Sequence, residues 1–99
     1  MSDEKKPFIK ITKHAYDRAK ERLGWKKSAL ENTAPKAFTV GTKHTDAKSK
    51  LRKYFDGIWR KYKNADNCRV HGEVFYLFRQ NILITVYPVP NYLKKYLNL

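Results

Sequence analysis

The sequence has 99 residues with a formal net charge of +13, from 22 Lys and Arg against 9 Asp and Glu, and 41% of it is hydrophobic. This length provides a single domain, 1–99, with one core, and the apolar content excludes a disordered chain. The positive excess favours a polyanionic partner, nucleic acid above all, although a basic face that only aids solubility is the alternative.

The first helix has clear start and stop signals. Residues 1–10 read as a polar, partly flexible lead. From Thr12 the apolar residues recur at helical spacing, and Thr12 is a good N-cap because its side-chain oxygen can accept from an early backbone N–H. Gly24 can take the left-handed conformation that closes a helix. We therefore predict a helix over 13–23.

A second helix is predicted over 28–40. Ser28 and Glu31 have the capping-box spacing, in which a hydroxyl and a carboxylate each satisfy an unpaired backbone amide. Gly41 is the residue at which we expect this helix to end. Pro35 removes one backbone hydrogen bond and clashes with the preceding turn, so we expect it to kink the helix or to end and restart it.

A third helix follows, capped by Thr45 or Asp46, with an apolar face that continues to Tyr62. We assign that face to the core. The opposite face is basic and is a candidate nucleic-acid surface, formed by Lys48, Arg52, Lys53 and Arg60.

The last third changes to strand patterns. Residues 68–71, 73–78 and 82–87 are predicted strands, and the last two are apolar enough to be covered on both faces. Pro88 follows the third of them, and a short helix is expected over 92–99. The fold class is therefore α+β, with N-terminal helices packed on a small C-terminal antiparallel sheet of about three strands.

The first helix carries a row of potential cations. His14, Arg18 and Arg22 follow at four-residue intervals and so lie along one side of the helix. Arginine suits phosphate through its planar, bidentate guanidinium, and histidine can give or take a proton near neutral pH. The alternative is structural, with both arginines paired to carboxylates such as Asp17 and Glu21.

Other candidates lie in loops and strands. His14 and His44 are candidate catalytic partners, because two histidines can divide the acid and base roles in RNA cleavage. His71 is a weaker candidate for that role. Arg18 is the candidate catalytic arginine, which would stabilise the charge that develops on phosphorus. Lys43, Arg69 and Thr85 are candidate phosphate contacts, although a loop histidine, an edge arginine and a strand threonine all have ordinary structural explanations.

Several kinds of chemistry find no support. Cys68 is the single cysteine, which excludes an internal disulfide and a cysteine-based zinc cluster. The three histidines are far apart and the four glycines form no phosphate-binding loop, so we expect no metal and no cofactor. Neither a secretion signal nor an apolar stretch of about 18 residues is present, so we expect a cytoplasmic protein that does not enter membranes.

The segment His14-Ala-Tyr-Asp-Arg18-Ala-Lys-Glu-Arg22 resembles the H-A-x-x-R-x-x-E-R motif of small phage-associated bacterial proteins. The likeness continues over 22–24, 41–44, 51–54 and 83–90. That family is distantly similar to the BECR ribonuclease toxins, which include RelE, barnase and the colicin ribonucleases. The resemblance implies metal-independent RNA cleavage, with His14, Arg18 and Arg22 matching the helix motif and Thr85 matching a polar residue on the last long strand.

Three functions remain open at this stage. The first is a toxin-like endoribonuclease that cleaves RNA through attack of the 2′-hydroxyl. The second is a non-catalytic phage or prophage protein that binds RNA or DNA through its basic third helix. The third is a protein-interaction or assembly module, because the segment 92–97 is amphipathic enough to join a dimer. An antitoxin is a candidate partner if the protein is a toxin.

Overall fold

The computed structural model describes residues 8–43, 46, 47, 49–62 and 64–97. The fold is α+β, as the sequence predicts, and no helix within these residues is long and apolar enough to cross a bilayer. Most of the predicted flexible lead, 1–7, lies outside the described residues. In chain order the elements are β1 (Lys10–Ile11), α1 (Lys13–Leu23), α2 (Lys27–Val40), β2 (Thr42–Lys43), α3 (Ser49–Lys61), β3 (Asn67–His71), β4 (Val74–Arg79), β5 (Ile82–Pro88) and the 3-10 helix η1 (Asn91–Tyr96).

The sheet has five strands in the order β1-β5-β4-β3-β2, so the expectation of about three strands is wrong. The three predicted strands form its antiparallel centre. The two additional strands are its edges: β1 pairs parallel with β5, and β2 pairs antiparallel with β3. Each edge strand has only two residues, which is too short to show the alternation that reveals a strand in a sequence.

The sheet lies between two helical layers, which explains why its central strands are almost wholly apolar. On one face, α1 and α2 pack against alternate residues of β4, including Tyr76 and Phe78. On the other face, α3 and the segment 89–97 cover Phe75 and Leu77. All four of these β4 side chains are buried, so each face of the sheet has its own hydrophobic core.

Helix α1 has the predicted bounds and caps. Thr12 accepts the Ala15 N–H at its hydroxyl oxygen, 3.0 Å away, and Gly24 closes the helix at φ 70°. The same hydroxyl donates to the Leu83 carbonyl at 3.0 Å. Thr12 therefore starts the helix and ties its first turn to β5.

The start of α2 differs from expectation, and the helix does not end and restart at Pro35. The helix follows Lys26, which makes no side-chain cap, and no capping box between Ser28 and Glu31 starts it. Pro35 lies inside a helix that continues without interruption to Val40. The buried stripe of α2, which packs on the sheet through Leu30, Ala34 and Ala37, offsets the missing backbone bond.

The last two helical elements also differ from expectation. Helix α3 begins at Ser49, so Asp46 does not directly precede it as a cap, and Thr45 lies outside the described residues. The final element is a 3-10 helix rather than an α-helix. It is short and follows Pro90, and its packing against α3 through Leu93 holds it in place more than its own backbone bonds do.

Candidate functional site at the open edge of the sheet

A β-bulge decides which side chains of β5 face which helical layer. The register with β4 passes from Leu83 directly to Thr85, so Ile84 is an extra residue. Beyond the bulge, Val86 shares the face of α1 and α2 with Leu83. Tyr87 instead packs toward α3. Without the extra residue, Tyr87 would share a face with Leu83 and would point away from α3.

The outer edge of β5 is open beyond its first two residues. Strand β1 pairs only with Ile82 and Leu83, so among the described residues 84–88 have no strand partner on that side. An open strand edge presents unpaired backbone groups. Arg22, in the last turn of α1, reaches this edge.

Arg22 binds the open edge through three contacts. Its Nη1 donates to the Val86 carbonyl at 3.0 Å and approaches the Thr85 hydroxyl at 3.5 Å. Its guanidinium carbon lies 4.0 Å from the centre of the Tyr87 ring, a distance typical of a cation–π contact. Arg22 therefore seals part of the strand edge and holds a positive charge there.

Two tyrosines complete this group. Tyr62 directly follows α3, and its hydroxyl accepts a hydrogen bond from the Tyr87 hydroxyl at 3.1 Å. That hydrogen bond and the positive charge of Arg22 lower the pKa of Tyr62. Burial and the neighbouring Tyr62 raise the pKa of Tyr87. The two phenols are therefore biased in opposite directions, one toward losing its proton and one toward keeping it.

We call Arg22, Tyr62, Thr85 and Tyr87 the Arg22 cluster. Among the described ion pairs, none joins a carboxylate to Arg22. Thr85 is 0% exposed, and Arg22 is within reach of its hydroxyl. A guanidinium flanked by hydroxyls rather than by carboxylates attracts an anion and can stabilise negative charge that develops on it.

The rest of the predicted row lies on the flank of α1 that faces the open edge. On the opposite flank the Tyr16 hydroxyl donates to Glu31 of α2 at 2.8 Å. His14 is exposed on the open flank. Arg18 pairs with Glu21 at 2.6 Å, as the structural alternative expects. Only Arg22 among the three turns inward to the sheet.

Lys43 and Arg69 lie at the other edge of the sheet. They are directly paired across β2 and β3 and so share one face. The Arg69 guanidinium donates to the Gly41 carbonyl at 2.8 Å and to Asn67 Oδ1 at 2.9 Å, which ties the end of α2 to β3. Strand β2 is three strand spacings, about 14 Å, from β5, so this pair is separate from the Arg22 cluster.

The remaining candidates fall in three places. Arg52, Lys53 and Arg60 are exposed on the outer side of α3. His71, at the end of β3, lines a cavity of about 500 Å³ beside Lys43 and Arg69. His44 and Lys48 lie outside the described residues. The structure thus brings Arg22 and Thr85 together, pairs Lys43 with Arg69, and places the basic side of α3 on the second helical layer.

No family model, curated protein or solved structure matches this chain. The similarity to phage-associated proteins therefore stays a prediction from the residues that carry it. Within the part of the chain that the structure describes, no three His, Cys, Asp or Glu side chains are grouped as a metal site would require.

Two members of the cluster, Tyr62 and Tyr87, are absent from the sequence-based candidates. Tyr62 belongs to the apolar stripe of the third helix, which gave it an ordinary core role. Tyr87 follows Thr85 by two residues, and this strand spacing places both side chains on one face. That spacing was the available signal for Tyr87, whereas nothing local predicts that Tyr62 meets it.

Proposed function

We propose that this protein binds RNA and cleaves it without a metal ion, at the Arg22 cluster. One observation carries the proposal: a guanidinium with no carboxylate partner among the described ion pairs stacks on Tyr87, whose hydroxyl is hydrogen-bonded to Tyr62, a phenol whose pKa is lowered. The net charge of +13 supports a polyanionic substrate. Charge neutralisation and proton transfer are the two things that cleavage of a phosphodiester needs from a protein.

Arg22 is the phosphate-binding group in this proposal. Its hydrogen bonds to Val86 and Thr85 use Nη1, and arginine also has donors on Nε and Nη2. The side chain remains partly exposed, so a phosphate can approach it from solvent. The stack on Tyr87 fixes the plane of the guanidinium, which orients those donors before a substrate binds.

The two tyrosines supply the proton transfers. The 2′-hydroxyl attacks the adjacent phosphorus and gives its proton to the Tyr62 phenolate, the ionised form that the lowered pKa favours. The bond from phosphorus to the 5′-oxygen breaks, and Tyr87, whose raised pKa keeps its proton, protonates that oxygen. The products are a 2′,3′-cyclic phosphate and a 5′-hydroxyl.

The predicted catalytic roles of His14 and Arg18 change in this assignment. His14 lies two helical turns, about 12 Å, from Arg22 along α1, and Arg18 lies one turn away. We assign both residues to neighbouring phosphates of the bound strand rather than to the reacting one. His44 keeps its place as a candidate proton donor only as a prediction from the sequence.

Non-catalytic nucleic-acid binding is the second candidate, and the exposed basic side of α3 favours it. If about six phosphates of duplex DNA are neutralised there, a plot of the logarithm of the affinity against the logarithm of the salt concentration has a slope of about −5. Equal binding of DNA and RNA, with no turnover, is the result that would select this candidate.

Purified protein incubated with RNA in excess EDTA tests the proposal. We expect cleavage by the wild type, and a loss of about 10²–10⁴-fold in rate for Tyr62→Phe, which removes the base and leaves the ring. Tyr92→Phe is the matched control, because Tyr92 is an exposed tyrosine on η1 and should cleave normally. His14→Ala and His44→Ala separate the tyrosine assignment from the histidine one. Intact RNA with the wild type would refute catalysis.

A further inference from the structure

Thr12 contacts the β-bulge on which the geometry of the Arg22 cluster depends. Its hydroxyl donates to the Leu83 carbonyl at 3.0 Å and to the Ile84 carbonyl at 3.3 Å, so the two carbonyls share one proton. The Thr12 N–H also donates to the Leu83 carbonyl, at 3.3 Å. Thr12 therefore binds both residues at which the register with β4 is interrupted.

These contacts favour the bulged form of β5 over a regular strand. Successive carbonyls of a regular strand point to opposite sides, so a single hydroxyl cannot bind two of them in a row. Ile84 has no residue opposite it on β4. A partly buried carbonyl without a donor is costly, and the Thr12 hydroxyl can serve both carbonyls only when the strand is bulged. The hydroxyl therefore stabilises the bulge.

The bulge in turn sets the position of Tyr87. Beyond Ile84 the strand is in register again, and the Tyr87 hydroxyl donates to Tyr62 at 3.1 Å. This distance is at the long end for a hydrogen bond between two hydroxyls, so a small displacement of the strand weakens the bond. The same hydrogen bond is the main cause that lowers the pKa of Tyr62. The pKa of Tyr62 therefore reports on the bulge.

We propose that Thr12 is a positioning residue for the Arg22 cluster: its hydroxyl clamps the bulge at Ile84 and so holds Tyr87 against Tyr62. The role is separate from the N-cap of α1, for which the same oxygen accepts the Ala15 N–H. Where it concerns the reaction, the inference rests on the proposed function, because holding the two phenols together positions the base and the acid.

Three substitutions of Thr12 separate the clamp from the cap. Thr12→Ser keeps a hydroxyl, which can both accept and donate. Thr12→Asp keeps a good N-cap but has no proton to donate, and Thr12→Gly is an N-cap of similar rank to threonine without a side chain. Loss of the donor is what Thr12→Asp and Thr12→Gly share. Thr39→Val is the matched control, because it removes a hydroxyl that donates to two backbone carbonyls at the end of α2.

NMR titration of protein with ¹³C-labelled tyrosine measures the pKa of each phenol, and Tyr62→Phe identifies the signal of Tyr62. We expect Thr12→Asp and Thr12→Gly to raise the pKa of Tyr62 toward its ordinary value, and Thr12→Ser and Thr39→Val to leave it unchanged. Salt at about 1 M screens the charge that Thr12→Asp adds. An unchanged pKa in Thr12→Gly refutes the clamp. A rise in Thr12→Gly but not in folded Thr12→Asp would trace to the flexible backbone and would also overturn it. If Thr12→Asp does not fold, the comparison of Thr12→Gly with Thr12→Ser decides.

The cleavage assay gives a second readout. Thr12→Gly should lower the rate roughly 10²-fold, the effect of a displacement of about 1 Å at a reaction site, and Thr12→Ser should restore most of it. The titration uses no RNA, so its outcome is independent of cleavage. A raised pKa of Tyr62 in Thr12→Gly, together with intact RNA from the wild type, would retain the clamp and reject the ribonuclease. Cleavage by the wild type with the same pKa of Tyr62 in every variant would do the reverse.

Discussion

Replacement of Arg22 by methionine tests whether this residue seals the open edge of β5. The substitution keeps a long side chain but removes the hydrogen bond to the Val86 carbonyl and the cation over Tyr87. A hydrogen bond from a charged group contributes about 1.5–3 kcal/mol, and a cation–π contact contributes about 0.5–2 kcal/mol. Water can rehydrate part of the edge, so we expect a loss of about 2–4 kcal/mol in the free energy of unfolding.

Arg18→Met is the matched control, because it removes the same charge one turn earlier on the same helix. Arg18 pairs with Glu21 on the surface, and such pairs contribute below about 1 kcal/mol. Urea unfolding measures both variants, and thermal unfolding should show a drop of roughly 10–25 °C for Arg22→Met alone. If the two variants unfold within about 0.5 kcal/mol of each other, Arg22 does not hold the strand edge in solution.

The other predictions concern titration, reactivity and the unusual proline. Spectroscopic titration of the phenols should find one tyrosine that ionises at a lower pH than the others. Tyr87→Phe should raise the pKa of that tyrosine, because the Tyr87 hydrogen bond is the main cause that lowers the pKa of Tyr62. Since folding lowers that pKa, ionisation of Tyr62 should add stability as the pH rises through the lowered value toward about 10, and that contribution should be absent at lower pH. Burial and the charge of Asp66 raise the pKa of Cys68 to about 11. A thiol reagent at neutral pH should therefore label Cys68 only after the protein unfolds. Rapid labelling of the folded protein would contradict the burial of Cys68. Pro35→Ala restores a helix bond and should raise the free energy of unfolding by about 1–2 kcal/mol, whereas a loss would show that the proline ring makes a necessary packing contact.

Local signals in the sequence predict the centre of the fold well. Thr12 and Gly24 predict the bounds of α1, because cap chemistry depends on residues close in the chain. The apolar runs predict the three central strands and their burial on both faces. The capping-box spacing at Ser28 and the proline at position 35 mislead, because packing of α2 on the sheet outweighs both local preferences.

The residues of the Arg22 cluster come together only in the tertiary structure, and their spacing in the sequence does not predict that they meet. The sequence by itself determined the basic charge, the row on α1 and the apolar stripe that includes Tyr62. Only the folded chain decided that β1 stops early, that the bulge at Ile84 turns Tyr87 toward α3, and that Arg22 reaches round the open edge to join them. The physical reason is that periodicity fixes which face of an element is buried, whereas strand register and edge pairing depend on partners far away in the chain.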